Sequence, residues 1–231
     1  MSHRTVFLLA VMALLLTALG CSGLARVDVG RVLTSGRDGW QHPEQVVETL
    51  AIAPGDRVAD IGAGDGYWIP RLAEAVGPAG RVYAVEVDDA LVAALESRVA
   101  EEALANVVVV RGDFDDPNLP DASIDLAITV LTYHHIDARS DYFRRLQRAL
   151  RPGGRVAHLD DRPDVGAPIS WFQSEGHWTE PGTIVTEMGA AGYRRESTYD
   201  FLPSQSFQIF RVDSGDRNRS MTAVEPDDTE S

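Results

Sequence analysis

One short stretch decides the fold: Val58-Ala59-Asp60-Ile61-Gly62-Ala63-Gly64-Asp65-Gly66-Tyr67-Trp68. An apolar run typical of a buried strand passes directly into three glycines at alternate positions, and a helical pattern follows. Glycine at such a turn allows positive φ angles and a close approach of a ligand to the backbone. The helix that follows offers free N–H groups at its first turn. The stretch therefore predicts a ligand site between a strand and a helix.

Two kinds of ligand fit this architecture, a dinucleotide or a nucleoside that carries an amino acid. The dinucleotide fingerprint is G-x-G-x-x-G, which requires glycine at position 67, where this chain has Tyr67. The spacing is instead G-x-G-x-G, with Asp60 two residues ahead of the first glycine. This pattern resembles motif I of the class I AdoMet-dependent methyltransferases.

Outward from this stretch, short β-branched runs alternate with amphipathic segments. Strands are predicted at Arg57–Ile61, Arg81–Val87, Val107–Arg111, Ile124–Leu131, Arg155–Leu159, Tyr193–Leu202 and Ser206–Val212. Helices are predicted at Asp89–Glu102, at Ser140–Leu150 and near Thr183–Ala191. Continuous apolar strands between helices indicate a parallel sheet that is covered on both faces. We therefore expect an α/β fold, a Rossmann-like doubly wound sheet of about seven strands, mostly parallel with an antiparallel C-terminal hairpin.

Acidic residues stand where the next two strands end. Glu86 closes the second strand 26 residues after Asp60, and an acid at that position can accept hydrogen bonds from ribose hydroxyls. The third strand leads into Asp113 and Phe114, for which the resemblance implies contacts to the adenine amine and ring. Asp121–Ile128 and Leu150–Arg155 resemble later blocks of the same family, so that the resemblance covers roughly residues 53–160.

The cofactor implied by this resemblance is S-adenosyl-L-methionine. Its predicted binding set comprises the acids and glycines at the strand ends and one aromatic residue, Asp60, Gly62, Gly64, Gly66, Glu86, Asp113 and Phe114. A charge argument supports the cofactor independently, because AdoMet is a net cation and acids around one crevice attract a cation and repel a pyrophosphate.

Candidates for the acceptor site follow the fourth and fifth strands. His134 or His135 could take a proton from the methyl acceptor, and Asp160 could orient the imidazole. The alternative is that these histidines only pack against the cofactor and cap the next turn. A metal held by His134, His135, Asp160 and His177 is a third possibility, but scattered residues carry no ligand-spacing signature, and we predict no metal. His158, inside a strand, is expected to be a hydrogen-bonded core residue.

The acceptor itself is predicted only by class. Trp40–Pro43, Thr132–His135 and Glu187–Met188 together resemble a small-molecule branch of the family that is similar to the ubiquinone/menaquinone C-methyltransferases. We therefore expect transfer of a methyl group to a small or lipophilic molecule. Trp68, Trp171, Phe172 and Trp178 could stack on a planar acceptor, although such residues more often belong to a core or a lid.

Composition excludes several other functions. The chain has 231 residues with 35 acidic and 21 basic side chains, a net charge of −14, and every basic residue is arginine. This charge argues against a nucleic-acid partner, and the missing lysine removes P-loop and Schiff-base chemistry. A single cysteine excludes an intramolecular disulfide.

That cysteine lies in a segment typical of an export signal. Arg4 precedes the uncharged run Val6–Leu19, whose 14 residues are short for a membrane span and fit a signal peptide. Ala18–Cys21 resembles a bacterial lipobox, which implies lipidation of Cys21 and a periplasmic, membrane-anchored protein, with the outer membrane favoured. A misassigned start site would instead leave a cytoplasmic protein.

These features predict four regions of the chain. They are a signal peptide at 1–20 that ends before Cys21, an N-terminal linker and helix at 21–52, the methyltransferase domain at 53–212 and a disordered acidic tail at 213–231.

Two functions from different classes fit these regions. One is an AdoMet-dependent methyltransferase, and the other is an exported lipoprotein that keeps the fold and binds a small ligand without catalysis. A dinucleotide oxidoreductase ranks third because of Tyr67. The oligomeric state is not predicted.

Overall fold

A computed structural model describes residues 36–162 and 178–213 of the chain. It separates into two compact units, residues 1–39 and 40–231, of which the first is described only at residues 36–39. The second unit carries the sheet. The predicted signal peptide, Cys21 and the acidic tail beyond Asp213 lie outside the described residues.

Helices separate most of the strands, as the sequence pattern predicts, although two pairs of consecutive strands in the described residues have no helix between them. The helices are α1 (Asp38–Gln41), α2 (Pro43–Leu50), α3 (Ile69–Val76), α4 (Asp89–Glu101), α5 (Arg139–Leu146) and α6 (Pro181–Ala190). The strands are β1 (Arg57–Ile61), β2 (Arg81–Glu86), β3 (Val107–Arg111), β4 (Ile124–Val130), β5 (Leu150–Asp161), β6 (Tyr193–Tyr199) and β7 (Gln205–Val212). A short 3-10 turn, Tyr133–His135, follows β4. None of the helices in these ranges is both long and apolar enough to cross a membrane.

The seven strands form one sheet in the order β3-β2-β1-β4-β5-β7-β6. Strands β1 to β5 pair in parallel, whereas β7 runs antiparallel to both β5 and β6. The predicted fold class is confirmed, including the C-terminal hairpin. The chain builds outward from β1 to β3 and then returns to place β4 on the other side of β1. Such a reversal opens a crevice at the carboxyl ends of the two central strands.

Both faces of the sheet are buried, which explains the continuous apolar runs. Helices α2, α3 and α4 cover one face through residues such as Leu50, Leu72 and Leu95. Helices α5 and α6 cover the other face through residues such as Phe143 and Met188. Each fully buried side chain of this size contributes about 1.5–3 kcal/mol to the hydrophobic stabilisation.

Several predicted boundaries were wrong by three or more residues. The strand expected to reach Leu202 ends at Tyr199. The helix expected to reach Leu150 ends at Leu146, and β5, expected from Arg155, already begins at Leu150. Leu150 pairs with Ile124 of β4 before the ladder resumes at Arg155. The residue before a proline avoids the helical region, so that Arg151, which precedes Pro152, favours the extended chain that this pairing requires.

His158 occupies the position in the core that the sequence predicts. It is fully buried on β5, with Nδ1 2.7 Å from the Thr129 hydroxyl and Nε2 3.4 Å from the Met188 sulfur. Burial lowers the pKa of His158 to about 3. The imidazole is therefore neutral in the folded protein at every ordinary pH.

This burial predicts a loss of stability in acid. Between pH 3 and about 6.5, the unfolded chain binds a proton at His158 and the folded protein does not, so stability falls as the pH drops. The loss from this group between pH 7 and pH 5 is about 2 kcal/mol. Urea unfolding at both pH values should show this loss reduced in His158→Gln, which keeps a neutral polar side chain. An equal loss in both proteins would contradict the prediction.

Candidate active site

The glycine-rich loop turns the chain from β1 into α3 directly above the end of β2. The N–H groups of Gly62 and Ala63 both donate to the carbonyl oxygen of Val85, at 2.9 Å each. The three alternating glycines have φ angles of +72°, +56° and +77° at positions 62, 64 and 66. Residues with a Cβ rarely adopt these angles, which explains the glycine spacing in the sequence.

The three glycines differ in what surrounds them. A Cβ on Gly62 would lie 2.4 Å from the Thr132 side chain, and one on Gly66 would lie 2.8 Å from Leu95. A Cβ on Gly64 would meet no atom of the described residues within 4 Å. Gly62 and Gly66 are thus required for packing, whereas Gly64 borders open space where a ligand could approach the backbone.

Glu86 joins this loop to the end of β2. Its Oε2 accepts a hydrogen bond from the Gly64 N–H at 2.9 Å, and its Oε1 accepts from the N–H groups of Val87 and Asp88 at 2.7 and 3.1 Å. The side chain is 7% exposed. Each carboxylate oxygen can accept more than one bond, so that Glu86 is both oriented by the protein and able to accept from ligand hydroxyls.

The other predicted cofactor residues also lie at the carboxyl edge of the sheet. Asp60 is buried near the end of β1. Asp113 follows β3 and is exposed, and its Oδ2 accepts a hydrogen bond from Asn118 at 3.1 Å. Phe114 is 80% exposed, an unusual state for a large apolar side chain. The topology brings this set to one edge, as predicted, with Asp113 and Phe114 open to solvent.

Leu91 lies in the first turn of α4, directly after β2, and its side chain is 37% exposed. Leu95, one turn later, is buried under the same helix. An apolar residue at i and i+4 in a helical pattern predicts a core face, whereas the structure leaves Leu91 partly exposed.

The predicted acceptor residues separate into a buried pair and an exposed neighbour. His134 Nδ1 lies 2.7 Å from Asp160 Oδ1, and the two side chains are 6% and 0% exposed. His135 is exposed, with its ring centroid 4.1 Å from that of His134. Asp160 Oδ2 is buried and has no hydrogen-bond partner among the residues described. The structure therefore pairs Asp160 with His134 rather than with His135.

The other residues named from the sequence include three that the structure does not describe. His177, Trp171 and Phe172 are outside the described ranges, whereas Trp178 is 36% exposed and Trp68 is buried at the start of α3. In residues 36–162 and 178–213, no group of three His, Cys, Asp or Glu side chains could hold a metal ion.

Comparison with known proteins agrees with this geometry. Residues 58–154 match the family model described as a methyltransferase domain. The match runs from β1 into the first part of β5, and thus includes the glycine loop, Glu86, Asp113 and the turn that carries His134.

Curated relatives match over part of the chain. The ubiquinone/menaquinone biosynthesis C-methyltransferase UbiE of Ectopseudomonas mendocina is 30% identical over 115 residues, 49% of this chain and 45% of the relative. The demethylmenaquinone methyltransferase of Geobacillus sp. is 27% identical over 117 residues, 51% of this chain and 50% of the relative. The chain thus spans about half the length of these relatives. The 2-phytyl-1,4-naphtoquinone methyltransferase of Synechococcus elongatus is 29% identical over 168 residues, 71% of each chain.

Solved structures share the fold. A SAM-dependent methyltransferase from Aquifex aeolicus has a TM-score of 0.69 at 22% identity and covers 82% of this chain and 100% of its own. The cyclase SpnF has a TM-score of 0.64 at 16% identity, covering 75% of this chain and 81% of its own. These likenesses show the fold alone, and the cyclase illustrates that one fold can host different reactions.

The match to a methyltransferase domain agrees with the predicted cofactor, S-adenosylmethionine. The residues present fit this group. The space beside Gly64 admits a ligand to the backbone, and Glu86 is held at the rim of that space with acceptor capacity to spare. The stretch Ala18–Cys21, predicted to be a lipobox, lies outside the described residues.

Proposed function

We propose that this protein is an S-adenosylmethionine-dependent methyltransferase that acts on a small or lipophilic molecule. The observation that carries the proposal is the bond from Gly64 N–H to Glu86 Oε2 beside the open space above Gly64. It fixes a carboxylate at the end of β2 next to a backbone that a ligand can approach. A nucleoside with vicinal hydroxyl groups suits such a carboxylate.

The charges around the crevice favour the same ligand. Asp60 and Glu86 are buried at this edge, and Asp65 and Asp113 stand at its exposed rim. Such a set of acids attracts a ligand that carries a sulfonium and an ammonium group against one carboxylate. A dinucleotide pyrophosphate would be repelled, and Tyr67 occupies the position where its fingerprint requires glycine.

The His134–Asp160 pair supplies the acid–base function of the proposed reaction. When bound, S-adenosylmethionine presents a methyl group on a positively charged sulfur, which is already activated toward a nucleophile. His134 Nδ1 donates to Asp160 Oδ1, which leaves Nε2 as the basic nitrogen that takes the proton from an acceptor hydroxyl or acidic carbon. Asp160 then stabilises the imidazolium that forms, and the low exposure of both groups keeps water from competing.

The names of the relatives support the acceptor class. Several of them methylate quinone precursors by name. We infer that the acceptor is a reduced quinone or another small molecule with an acidic hydroxyl group. A neutral imidazole can deprotonate a hydroxyl that is activated by an aromatic ring.

Cofactor binding tests the first half of the proposal. Calorimetric titration of S-adenosylmethionine into the full-length protein should give micromolar affinity, and Glu86→Gln should weaken it tenfold or more, about 1.4 kcal/mol. The NH2 group of the new glutamine would face backbone N–H groups from which Glu86 now accepts hydrogen bonds, so that two donors would oppose each other. Gly64→Ala should also weaken binding, because its methyl group fills the ligand space. Glu74→Gln, on the exposed face of α3, is the matched control. Absence of binding to the folded wild-type protein would overturn the proposal.

Turnover tests the second half. With S-adenosylmethionine and a panel of reduced benzoquinones, reduced naphthoquinones and catechols, the product S-adenosylhomocysteine is measured by mass spectrometry. For any acceptor that the wild type methylates, His134→Gln should lower kcat by about 100-fold, the lower range for loss of a general base. Asp160→Asn should lower kcat by a smaller factor, and the cofactor affinity should hold in both variants. His135→Gln should retain most of the activity. Equal losses in the His134 and His135 variants would refute this assignment.

A separate proposal concerns export. The lipobox-like stretch Ala18–Cys21 favours a lipid-anchored protein on the periplasmic side, and it also favours the second candidate function, a small-ligand binder without catalysis. Fractionation of cells should place the wild type with membranes and Cys21→Ser in the soluble periplasmic fraction. Recovery of both proteins from the cytoplasm with residues 1–20 intact would refute export.

A further inference from the structure

An ion pair outside the predicted site connects α6 to the turn that carries His134. Glu187, in the last turn of α6, binds Arg139 at the start of α5 through two bonds, Nε to Oε2 at 2.7 Å and Nη2 to Oε1 at 3.0 Å. The Tyr133 hydroxyl donates to the same Oε2 at 2.8 Å. Glu187 thus receives three hydrogen bonds, two from Arg139 at the start of α5 and one from Tyr133 in the turn after β4.

Tyr133 is fixed on every side. Its ring is fully buried, stacked on Phe143 at 5.4 Å, edge-on to His158 at 4.7 Å, and covered by the Arg139 guanidinium at 5.3 Å. Burial and the neighbouring Glu187 raise the pKa of Tyr133 well above its ordinary value, so that its hydroxyl remains a donor. The hydroxyl therefore keeps its proton at ordinary pH, and its bond to Glu187 restrains the tyrosine at the far end of its ring.

His134 is the next residue in the chain after Tyr133. Its side chain is bonded to Asp160 on β5. Its backbone lies in the 3-10 turn Tyr133–His135, so the position of that backbone depends on the turn. Arg139 Nη1 also donates to the Ile136 carbonyl, just after the turn, at 3.4 Å. Ser140 Oγ donates to the Glu187 carbonyl at 3.0 Å, which joins α5 to α6. The turn is thus clamped between α5 and α6 through Glu187.

We propose that Glu187 is a positioning residue for methyl transfer, which holds the His134 turn in place through Tyr133 and Arg139. This inference rests on the proposed function, since it assigns the bonds of Glu187 to the alignment of the base. Alignment within a fraction of an ångström decides the rate of an in-line transfer. Substitution of a residue that aligns the base lowers kcat. It leaves the cofactor site at the ends of β1 to β3 intact.

The test compares Glu187→Gln and Tyr133→Phe with Glu196→Gln in the full-length protein. Glu196 on β6 pairs with Arg211 at 2.6 Å through a single bond, in a partly exposed ion pair on the outer strands of the sheet. With the acceptor that the wild type methylates, both network variants should lower kcat fivefold or more and change the Kd of S-adenosylmethionine less than twofold. Glu196→Gln should change neither. The double variant should lose little beyond one single variant, because both weaken the same network of Tyr133, Arg139 and Glu187.

A second measurement does not depend on turnover. The proton on His134 Nδ1, bonded to Asp160, should give a downfield proton NMR signal that is assigned by its loss in His134→Gln. It should shift or broaden in Glu187→Gln and Tyr133→Phe and stay unchanged in Glu196→Gln. An unmoved signal, or network variants with wild-type kcat, would overturn the inference. Absence of methyl transfer by the wild type with every acceptor would instead count against the proposed function and leave the signal as the test of the network.

Discussion

The loop after β1 depends on one pair of hydrogen bonds, from the N–H groups of Gly62 and Ala63 to the carbonyl of Val85. They extend the β1–β2 ladder beyond its last rung and force the chain to turn at once over the end of β2. The turn requires a positive φ at Gly62, where a Cβ would also strike Thr132. Gly64 is thereby brought to Glu86, and the open space beside it faces the crevice.

The same constraint links the proposed cofactor side of the crevice to the proposed acceptor side. Thr132 follows β4, and its hydroxyl donates toward the carbonyls of Val130 and Gly62 at 3.2 and 3.4 Å. The next two residues are Tyr133 and His134, so that the glycine-rich loop and the turn carrying the proposed base meet at Thr132. A contact of this kind suits a reaction that depends on the alignment of two bound molecules.

The structure also shows how a strongly acidic chain without lysine uses its arginines. In the described residues, several arginines pair with acids at the surface and at helix ends, among them Arg98 with Glu102 and Arg211 with Glu196. Arg139 is different because its pair with Glu187 is half-buried and shared with Tyr133. Exposed pairs contribute little to stability, whereas a bidentate pair that orders a functional turn contributes to geometry.

The amino-acid sequence by itself determined the fold class and the acids near the strand ends, because the glycine spacing, the apolar runs and the acids at strand ends are local patterns with direct physical meanings. The strand order belongs to the tertiary structure. The sequence also limited the candidate base to two adjacent histidines. Only the tertiary structure shows which of them bonds to Asp160, since Asp160 is 26 residues from His134 and their 2.7 Å bond exists only once β4 and β5 are paired. Glu187 became visible as a partner of Tyr133 for the same reason. Side chains 54 residues apart meet because two helices pack on one face of a sheet, and no local pattern encodes that contact.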